Sequence, residues 1–465
     1  MSEEVSNQSS QSGMTAGERR SSLSLAFIFA LRMMGLFMIY PVFSVYARQL
    51  PYSTPSLIGL ALGIYGLTQA MLQIPFGMLS DRIGRKPVIA GGLLLFTIGS
   101  VVAALAVTIH GIIIGRMLQG AGAVGSTILA LGADLTREEQ RTKAMAVIGM
   151  TIGMSFALAV VLGPILNNWI GVPGIFWLTA VFGLLGIAVL FFATPRPSHT
   201  RMHRDTEAVP ALFKRVLTDG QLLRLDFGIF SLHAILTATF VALPVALHTS
   251  AGFHIAHQWA LYLPVLAVSV IGMVPLIIIA EKYKRMKPVY LGAILALAAA
   301  QFTLMAVHNT LWAIVPALLV FFTAFNVMEA SLPSLISKVA PPTSKGTAMG
   351  VYSSSQFFGI FIGGTLGGWF MGHFGLPAVF FMSGCIALIW FVIAVSMPKP
   401  SYLSSYLLRV GRLQNEAADR LAEQLLSVHG VADAVVVAEE GVAYLKVDSK
   451  LLDETALHKF GAAQS

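Results

Sequence analysis

Long apolar runs separated by short polar breaks set the pattern of this chain from about residue 23 to residue 397. Each run is long enough to cross a bilayer at about 1.5 Å rise per residue. Together they predict twelve spans, near 23 to 47, 56 to 79, 87 to 107, 109 to 133, 143 to 167, 171 to 193, 225 to 247, 257 to 280, 288 to 307, 310 to 336, 346 to 371 and 375 to 397. The pattern changes only at the two ends. Residues 1–22 are polar and Ser-rich, which predicts a disordered tail. The apolar run that follows is too long for a signal-peptide core and lacks a convincing cleavage site, so it is read as an uncleaved first span. Beyond about 398 the sequence turns soluble. Alternation near 402–410 is followed by a helical pattern over 413–428, with Ala417, Leu421, Leu425 and Val428 on one face. A hairpin over 434–448 turns at Glu439 to Gly441, and a short helix is placed at 452–460. This predicts a ferredoxin-like βαββα unit at 402–461, too small to be more than marginal alone and expected to lean on the membrane domain or a partner.

Composition sharpens the reading. Apolar residues make up 56% of the chain and charged residues 11%, against roughly 25% charged in soluble domains. The net charge of +8 forms no basic stripe on a soluble face, so nucleic acid is not an expected partner. The cations collect instead in alternate breaks: Arg82, Arg85 and Lys86; Arg137, Arg141 and Lys143; the loop 194–224; Lys282, Lys284, Arg285 and Lys287; Lys338 and Lys345. The other breaks hold Arg48 and otherwise histidines. This asymmetry predicts that both termini are cytoplasmic. The single cysteine, Cys385, lies in an apolar segment and excludes an intramolecular disulfide or a multi-thiolate metal site. His248, His254 and His257 have a spacing that a surface metal would accept, but histidines there also replace Lys and Arg without violating topology, and no metal is expected.

The loop 194–224, with Pro195, Pro197 and Pro210, divides the spans into bundles at 23–193 and 225–397. An internal repeat supports the division. Under a shift of 204 residues, Ala144, Met145 and Val147 fall on Ala348, Met349 and Val351, while Gly163, Gly171, Pro173 and Phe176 fall on Gly367, Gly375, Pro377 and Phe380. Lys86-Pro87-Val88 is likewise echoed by Lys287-Pro288-Val289. Two pseudo-symmetric six-helix bundles suit a carrier that exposes one central site to each side in turn.

The break Gly77-Met-Leu-Ser-Asp81-Arg82-Ile-Gly84-Arg85-Lys86 lies between spans 2 and 3. It resembles the signature of the major facilitator superfamily, and Gly115-Arg116-Met-Leu-Gln119-Gly120 resembles a second motif of that family. Gly163-Pro164 matches a third in part, with Ala159 and Asn167 where glycine would complete it, and Gly35 with Pro41 resembles the drug:proton antiporter motif, Phe43 replacing its last proline. The resemblance implies an all-helical secondary transporter with no cofactor, energised by a proton gradient. It implies that Asp81 latches against the start of span 11 near Gly346 and Thr347, where amide donors and the helix dipole favour a carboxylate. Arg85 would pair with Asp134, so that Gly77, Asp81, Arg82, Gly84, Arg85, Lys86 and Asp134 form a relay holding the outward-open state. The alternative is a solvated loop that only anchors topology. Arg116 and Gln119 would stand near the proton path, and Gly163-Pro164 would bend span 5 in an exporter.

Other candidates rest on physics alone. An arginine at membrane depth is disfavoured by roughly 2.5–3.5 kcal/mol, so Arg32 and Arg116 should face the interior with partners. Arg32 is read as a cavity cation for an anionic substrate group or a neighbouring carboxylate, or else as a structural pair. Glu329, deep in span 10, is the proton-coupling candidate, unless it bridges to a neighbour such as Asn326. Asp226 is placed at the interface, at the start of span 7. His233 either titrates or serves helix packing. Tyr65, Gln69, Gln73, Asn326, Tyr352 and Gln356 either line the cavity or bond helix to helix. The C-terminal unit has no cysteine and so no thiolate metal role, and no Walker loop or nucleophile elbow suggests an enzyme. The sequence therefore predicts a multi-pass bacterial inner-membrane carrier. Its partners would be the lipid bilayer, protons and a small amphipathic substrate for proton-coupled efflux, with self-association or regulatory contact through the C-terminal unit. A non-transporting sensor, an importer and a uniporter are the alternatives.

Overall fold

The computed structural model describes residues 13–195, 212–341, 344–398, 404–411, 413–438, 441–448, 451–453, 456–457 and 459–460. Residues 1–12 of the tail, most of the central loop with Pro197 and Pro210, and parts of the final short helix lie outside the described residues.

Twelve spans follow one another in two bundles. The first bundle has span 1 (Ala16–Phe37, continued by Tyr40–Tyr46), span 2 (Pro55–Ile83), span 3 (Arg85–Leu105) and span 4 (Ile109–Ala121 and Gly125–Asp134). Spans 5 and 6 share the run Glu138–Phe192, divided at Gly171. The second bundle has span 7 (Gly220–Val245), span 8 (Gln258–Glu281), span 9 (Met286–Val307), span 10 (Leu311–Val339), span 11 (Lys345–Phe374) and span 12 (Leu376–Val395). Among the described residues ten stretches are long and apolar enough to cross a membrane by themselves; Lys143–Phe192 holds two spans, and the glycine-rich Lys345–Phe374 completes the set.

Span 1 starts earlier than the expected residue 23. Thr15 Oγ1 accepts from the Glu18 amide at 3.2 Å and Glu18 Oε2 accepts from the Thr15 amide at 2.8 Å, a reciprocal cap that starts the helix at Ala16. Glu18 also takes the Arg137 Nε at 2.9 Å and Nη2 at 3.1 Å, which ties span 1 to the start of span 5. Residues 13–22 are thus a capped helix entry rather than a tail.

The repeat has a physical basis in the turns. Gly171 and Gly375 occupy equivalent corners with φ of 67° and 84°, a conformation that L side chains resist, and each is followed two residues later by a proline that restarts the helix. The lysine pair is equivalent too. Lys86 Nζ donates to the carbonyls of Leu190 and Thr194 at 3.0 and 2.6 Å, and Lys287 Nζ donates to those of Val395 and Met397 at 2.9 and 2.6 Å. Each ammonium therefore caps the carbonyl end of the last span in its own bundle. A cation at that end stabilises a helix by about 0.3–1 kcal/mol. Lys86→Ala and Lys287→Ala should each lower the melting temperature of purified protein modestly. Because the sites share no partners, the double variant should show the sum; a strongly non-additive double variant would contradict independent caps.

The C-terminal unit forms β1 (Ser404–Arg409), a helix (Asn415–Leu426), β2 (Val431–Val437) and β3 (Val442–Val447), with antiparallel order β1-β3-β2. Leu408, Leu425, Ala443, Leu445, Val447 and Leu457 make a small core of their own. The unit also touches the membrane domain: Lys446 Nζ, on β3, donates to the carbonyls of Lys338 and Val339 at 2.7 and 3.2 Å, at the C-terminal end of span 10.

Candidate functional site between the bundles

The two bundles meet backbone to backbone along spans 2 and 11. A Cβ added at Gly59 would lie 2.2 Å from the Gly364 carbonyl oxygen, one at Gly63 2.7 Å from the Phe361 oxygen, and one at Gly66 2.3 Å from the Phe357 oxygen. Gly368 approaches the Pro55 carbonyl in the same way, at 2.4 Å. This glycine seam runs from the Pro55 end to mid-depth. Spans 1 and 7 cross beside it, where Ser44 Oγ donates to the Phe240 carbonyl at 3.2 Å and Tyr40 stands 5.6 Å from the Phe240 ring. Phe156 of span 5 packs on Phe240, Phe322 and Phe325, with centroids 6.4, 6.4 and 5.7 Å away.

At mid-depth in the second bundle, polar groups gather on spans 7, 10 and 11. His233 Nδ1 lies 3.3 Å from the Ile229 carbonyl, which assigns the proton of a neutral ring to Nδ1 and leaves Nε2 to accept from Gln356 Nε2 at 2.8 Å. Glu329 Oε2 lies 3.7 Å from the same Nε2. A second proton on the ring would therefore convert this neighbour into an ion pair. The Glu329 side chain is 27% exposed, while Oε2, the oxygen beside His233, is itself buried. Asn326 donates to Ser269 Oγ at 3.0 Å, a bond between spans 8 and 10, and does not bridge to Glu329. Tyr352 is buried with its hydroxyl unpartnered, within electrostatic range of Glu329 and Asp226.

Asp226, expected at the start of span 7, is buried within the protein. Span 7 begins at Gly220, where Asp219 Oδ1 accepts from the amides of Gln221 and Leu222 at 2.8 and 3.3 Å. That earlier cap places Asp226 nearly two turns into the helix, 5% exposed, with neither carboxylate oxygen hydrogen-bonded among the described residues.

In the first bundle the polar groups form chains around two arginines. Arg32 Nη2 donates to Tyr65 Oη at 3.0 Å and to Gln69 Oε1, and Gln69 Nε2 donates to Gln73 Oε1 at 3.1 Å. Arg116 Nη1 donates to Gln119 Oε1 at 2.8 Å, Gln119 continues to Ser100 Oγ at 2.8 Å, and the guanidinium carbon stands 4.9 Å from the centre of the Tyr65 ring. Tyr65, Gln69 and Gln73 are buried in this network and do not line an open wall.

At the end opposite the glycine seam, Gly84 turns with φ of 96° and carries the chain from span 2 into span 3. Arg85 is buried and donates to Asp81, to Ser80 Oγ at 2.7 Å and, through Nε, to Asp134 Oδ2 at 3.2 Å. Asp134 is fully buried while Asp81 keeps 25% of its side chain in solvent. Gly77 packs on Ser126 of span 4, with an added Cβ 3.2 Å from its Oγ, and Arg82 lies in the last turn of span 2. Gly163–Pro164, where a bend is expected, lies inside a continuous helical run. The run stays helical through Pro164 and departs only at Gly171; Gly163 instead admits the Met38 carbonyl, 2.2 Å from an added Cβ.

Three contributors escape the sequence reading: Glu18, Ser80 and Asp219. Two had a legible signal, since Thr15-x-x-Glu18 is a capping box and Asp219 precedes an apolar helical run. The three outer histidines stand with ring centroids 5.9 and 6.1 Å apart, and among the described residues no group of three metal-ligand side chains converges.

Comparison with known proteins places this architecture. The description "Major Facilitator Superfamily" matches residues 25–364 and 258–412, and "YajR YAM domain" matches residues 412–460. The chain is 47% identical over 439 residues, 94% of its length, to the inner membrane transport protein YajR of Escherichia coli (strain K12), covering 96% of that protein. It is 27% identical over 379 residues, 79% of its length and 90% of the relative, to the multidrug resistance protein MdtH of Aeromonas hydrophila. Among solved structures, a bacterial homologue of the human lysosomal transporter Spinster, in an inward-facing and occupied conformation, superposes with a TM-score of 0.70 at 14% identity, over 82% of this chain and 97% of that one. A multi-pass inner-membrane protein of twelve spans with an appended α/β domain, this chain belongs to the major facilitator superfamily.

Proposed function

We propose that the protein is a proton-driven exporter of a small amphipathic molecule and works by alternating access. The observation that carries this reading is that Glu329, with His233 3.7 Å away, is partly solvent-exposed at mid-depth while the Pro55 end is closed by the glycine seam. Solvent therefore enters from the Asp81 end. The basic breaks put that end in the cytoplasm, with both termini, and make this the inward-facing state. Glu329 takes and releases the coupling proton, and His233, held through Nδ1 by the Ile229 carbonyl, stabilises the carboxylate when the ring is charged and Nε2 turns from accepting the Gln356 amide to donating toward Glu329. Rocking of one bundle on the other moves the pair between the two faces. The relatives named as multidrug resistance proteins support export of an amphipathic compound.

The latch assigned to Asp81 belongs to the outward-open state, in which it meets the start of span 11; in the inward-facing state its carboxylate is held by Arg85. Efflux from everted vesicles tests both halves of the proposal. With a panel of cationic, neutral and anionic fluorescent dyes, wild type should show uncoupler-sensitive transport that Asp81→Asn loses at matched expression. Equal, uncoupler-sensitive transport by the two proteins would remove Asp81 from the mechanism, and transport indifferent to the uncoupler would replace the exporter by a uniporter.

The C-terminal unit is a regulatory element docked on span 10. Burial holds the Lys446 ammonium below its ordinary value, so docking favours proton release and is most penalised below that depressed value. The penalty lifts as pH rises above that depressed value toward the usual lysine range. A chain truncated after residue 398 is expected to insert normally and transport at an altered rate, with Lys446→Ala reproducing the change. Failure of the truncated chain to insert would show instead that the unit is needed for folding.

A further inference from the structure

Buried polar groups in folded proteins nearly always find partners, so an incomplete arginine at membrane depth is informative. Arg32 is 1% exposed, and its Nη2 is occupied by Tyr65 and Gln69, but Nε and Nη1 have no acceptor among the described residues. The Nη2 of Arg116 is also without one. Among the described residues neither guanidinium has a carboxylate within ion-pair distance, while Asp226 and Glu329 stand in the other bundle. The first bundle thus carries two buried cations about one tyrosine ring with no anion beside them.

Arg32 lies deeper than Glu329, measured from the Asp81 end. It stands sixteen residues into span 1 and Glu329 ten residues from the end of span 10, or about 24 and 15 Å from the Asp81 end at 1.5 Å per residue. Rings lie along the way: Phe325 is 5.9 Å from the His233 ring, and Phe357 is 6.4 Å from Tyr65, whose hydroxyl accepts from Arg32. We propose that Arg32 is the anion-recognising residue of the substrate site, and that the transported molecule is an amphipathic aromatic anion. Its carboxylate, sulfonate or phosphate accepts from Nε and Nη1 at the apex, and its apolar body lies among the rings below. Tyr65 and Gln69 hold the guanidinium in place by the remaining nitrogen. The proposal rests on the transport reading, since it deepens the same site.

The test is fluorescence titration of purified full-length protein in nanodiscs, with no gradient imposed. The probes are 1-pyrenebutyrate, its methyl ester and 1-pyrenebutylamine; the proteins are wild type, Arg32→Gln and Arg32→Lys. Wild type should bind the anion about tenfold or more tighter than the ester, a preference of the size one charge-assisted hydrogen bond supplies. Arg32→Gln should lose the preference with ester binding unchanged. Arg32→Lys should keep part of it, with anion affinity reduced about threefold because a point charge replaces a directional donor set. Absence of any preference in wild type, or its survival in Arg32→Gln, would overturn the assignment. If Arg32→Gln does not fold, Arg32→Lys decides: anion affinity equal to wild type overturns the proposal. A structural role, with Arg32 meeting Glu329 or Asp226 in another state, would change stability and leave the anion preference intact, which also overturns it. Because binding is read without a gradient, failure of proton-driven export in vesicles leaves this result standing, and the reverse holds as well.

Discussion

Gly59→Leu is expected to abolish transport while leaving insertion and the separate bundles intact. A Cβ at Gly59 would meet the Gly364 oxygen at 2.2 Å and the Gly368 Cα and amide nitrogen at 2.7 and 2.8 Å. All three are backbone atoms, so no side-chain rotation relieves the clash. The bundles must separate at the Pro55 end, and the penalty falls only on the state in which that end is closed. Overpacking of about 1–3 kcal/mol imposed on one state alone shifts a two-state balance about 5- to 150-fold. The carrier should therefore rest open toward the Pro55 side. In a Cys385→Ser background, a cysteine at Ser56 should react faster with a membrane-impermeant maleimide added from that side than it does without Gly59→Leu. Wild-type transport together with unchanged labelling would show that the seam is not the gate.

The second large effect lies at the other end. Arg85 and Asp134 are both buried, with Nε and Oδ2 3.2 Å apart, and removing the guanidinium breaks this buried ion pair from one side. Breaking a buried pair from one side costs about 3–5 kcal/mol. Arg85→Ala should therefore lower the melting temperature of purified protein sharply and reduce transport beyond what lost expression explains. The double variant Arg85→Ala/Asp134→Ala should lose less stability than the two single variants together, because the two side chains share one buried ion pair. A double variant as unstable as the sum of the two singles would mean the residues act independently and that the geometry at this corner has another source.

Much of this protein was legible in its residue order. Hydrophobic run length placed the spans because hydrocarbon tolerates only backbone satisfied within its own helix, so apolar length maps directly onto helix length. The repeat was legible for a related reason: Gly171 and Gly375, like Lys86 and Lys287, do local jobs, a turn with positive φ and a cap on a helix end, that only certain residue types perform. Family membership followed from the motif between spans 2 and 3, whose residues are neighbours in sequence and in space.

Partnership across the membrane was not legible. That Asp226 is buried inside the protein depends on span 7 being capped at Asp219, several residues before the expected start. Tyr65, Gln69 and Gln73 read as cavity wall or as helix-to-helix bonds with equal right, because periodicity gives a face but not what covers it; the packing of span 2 on spans 1 and 11 decided that they belong to Arg32. The sequence by itself determined the number of spans, the two-fold plan, the family and the soluble appendage, all consequences of local hydropathy and local conformational demand. Only the tertiary structure decided which end is closed, that Arg32 keeps two donors free, that His233 faces Glu329, and that Lys446 seats the appended domain on span 10, because each of these is a distance between residues far apart in the chain.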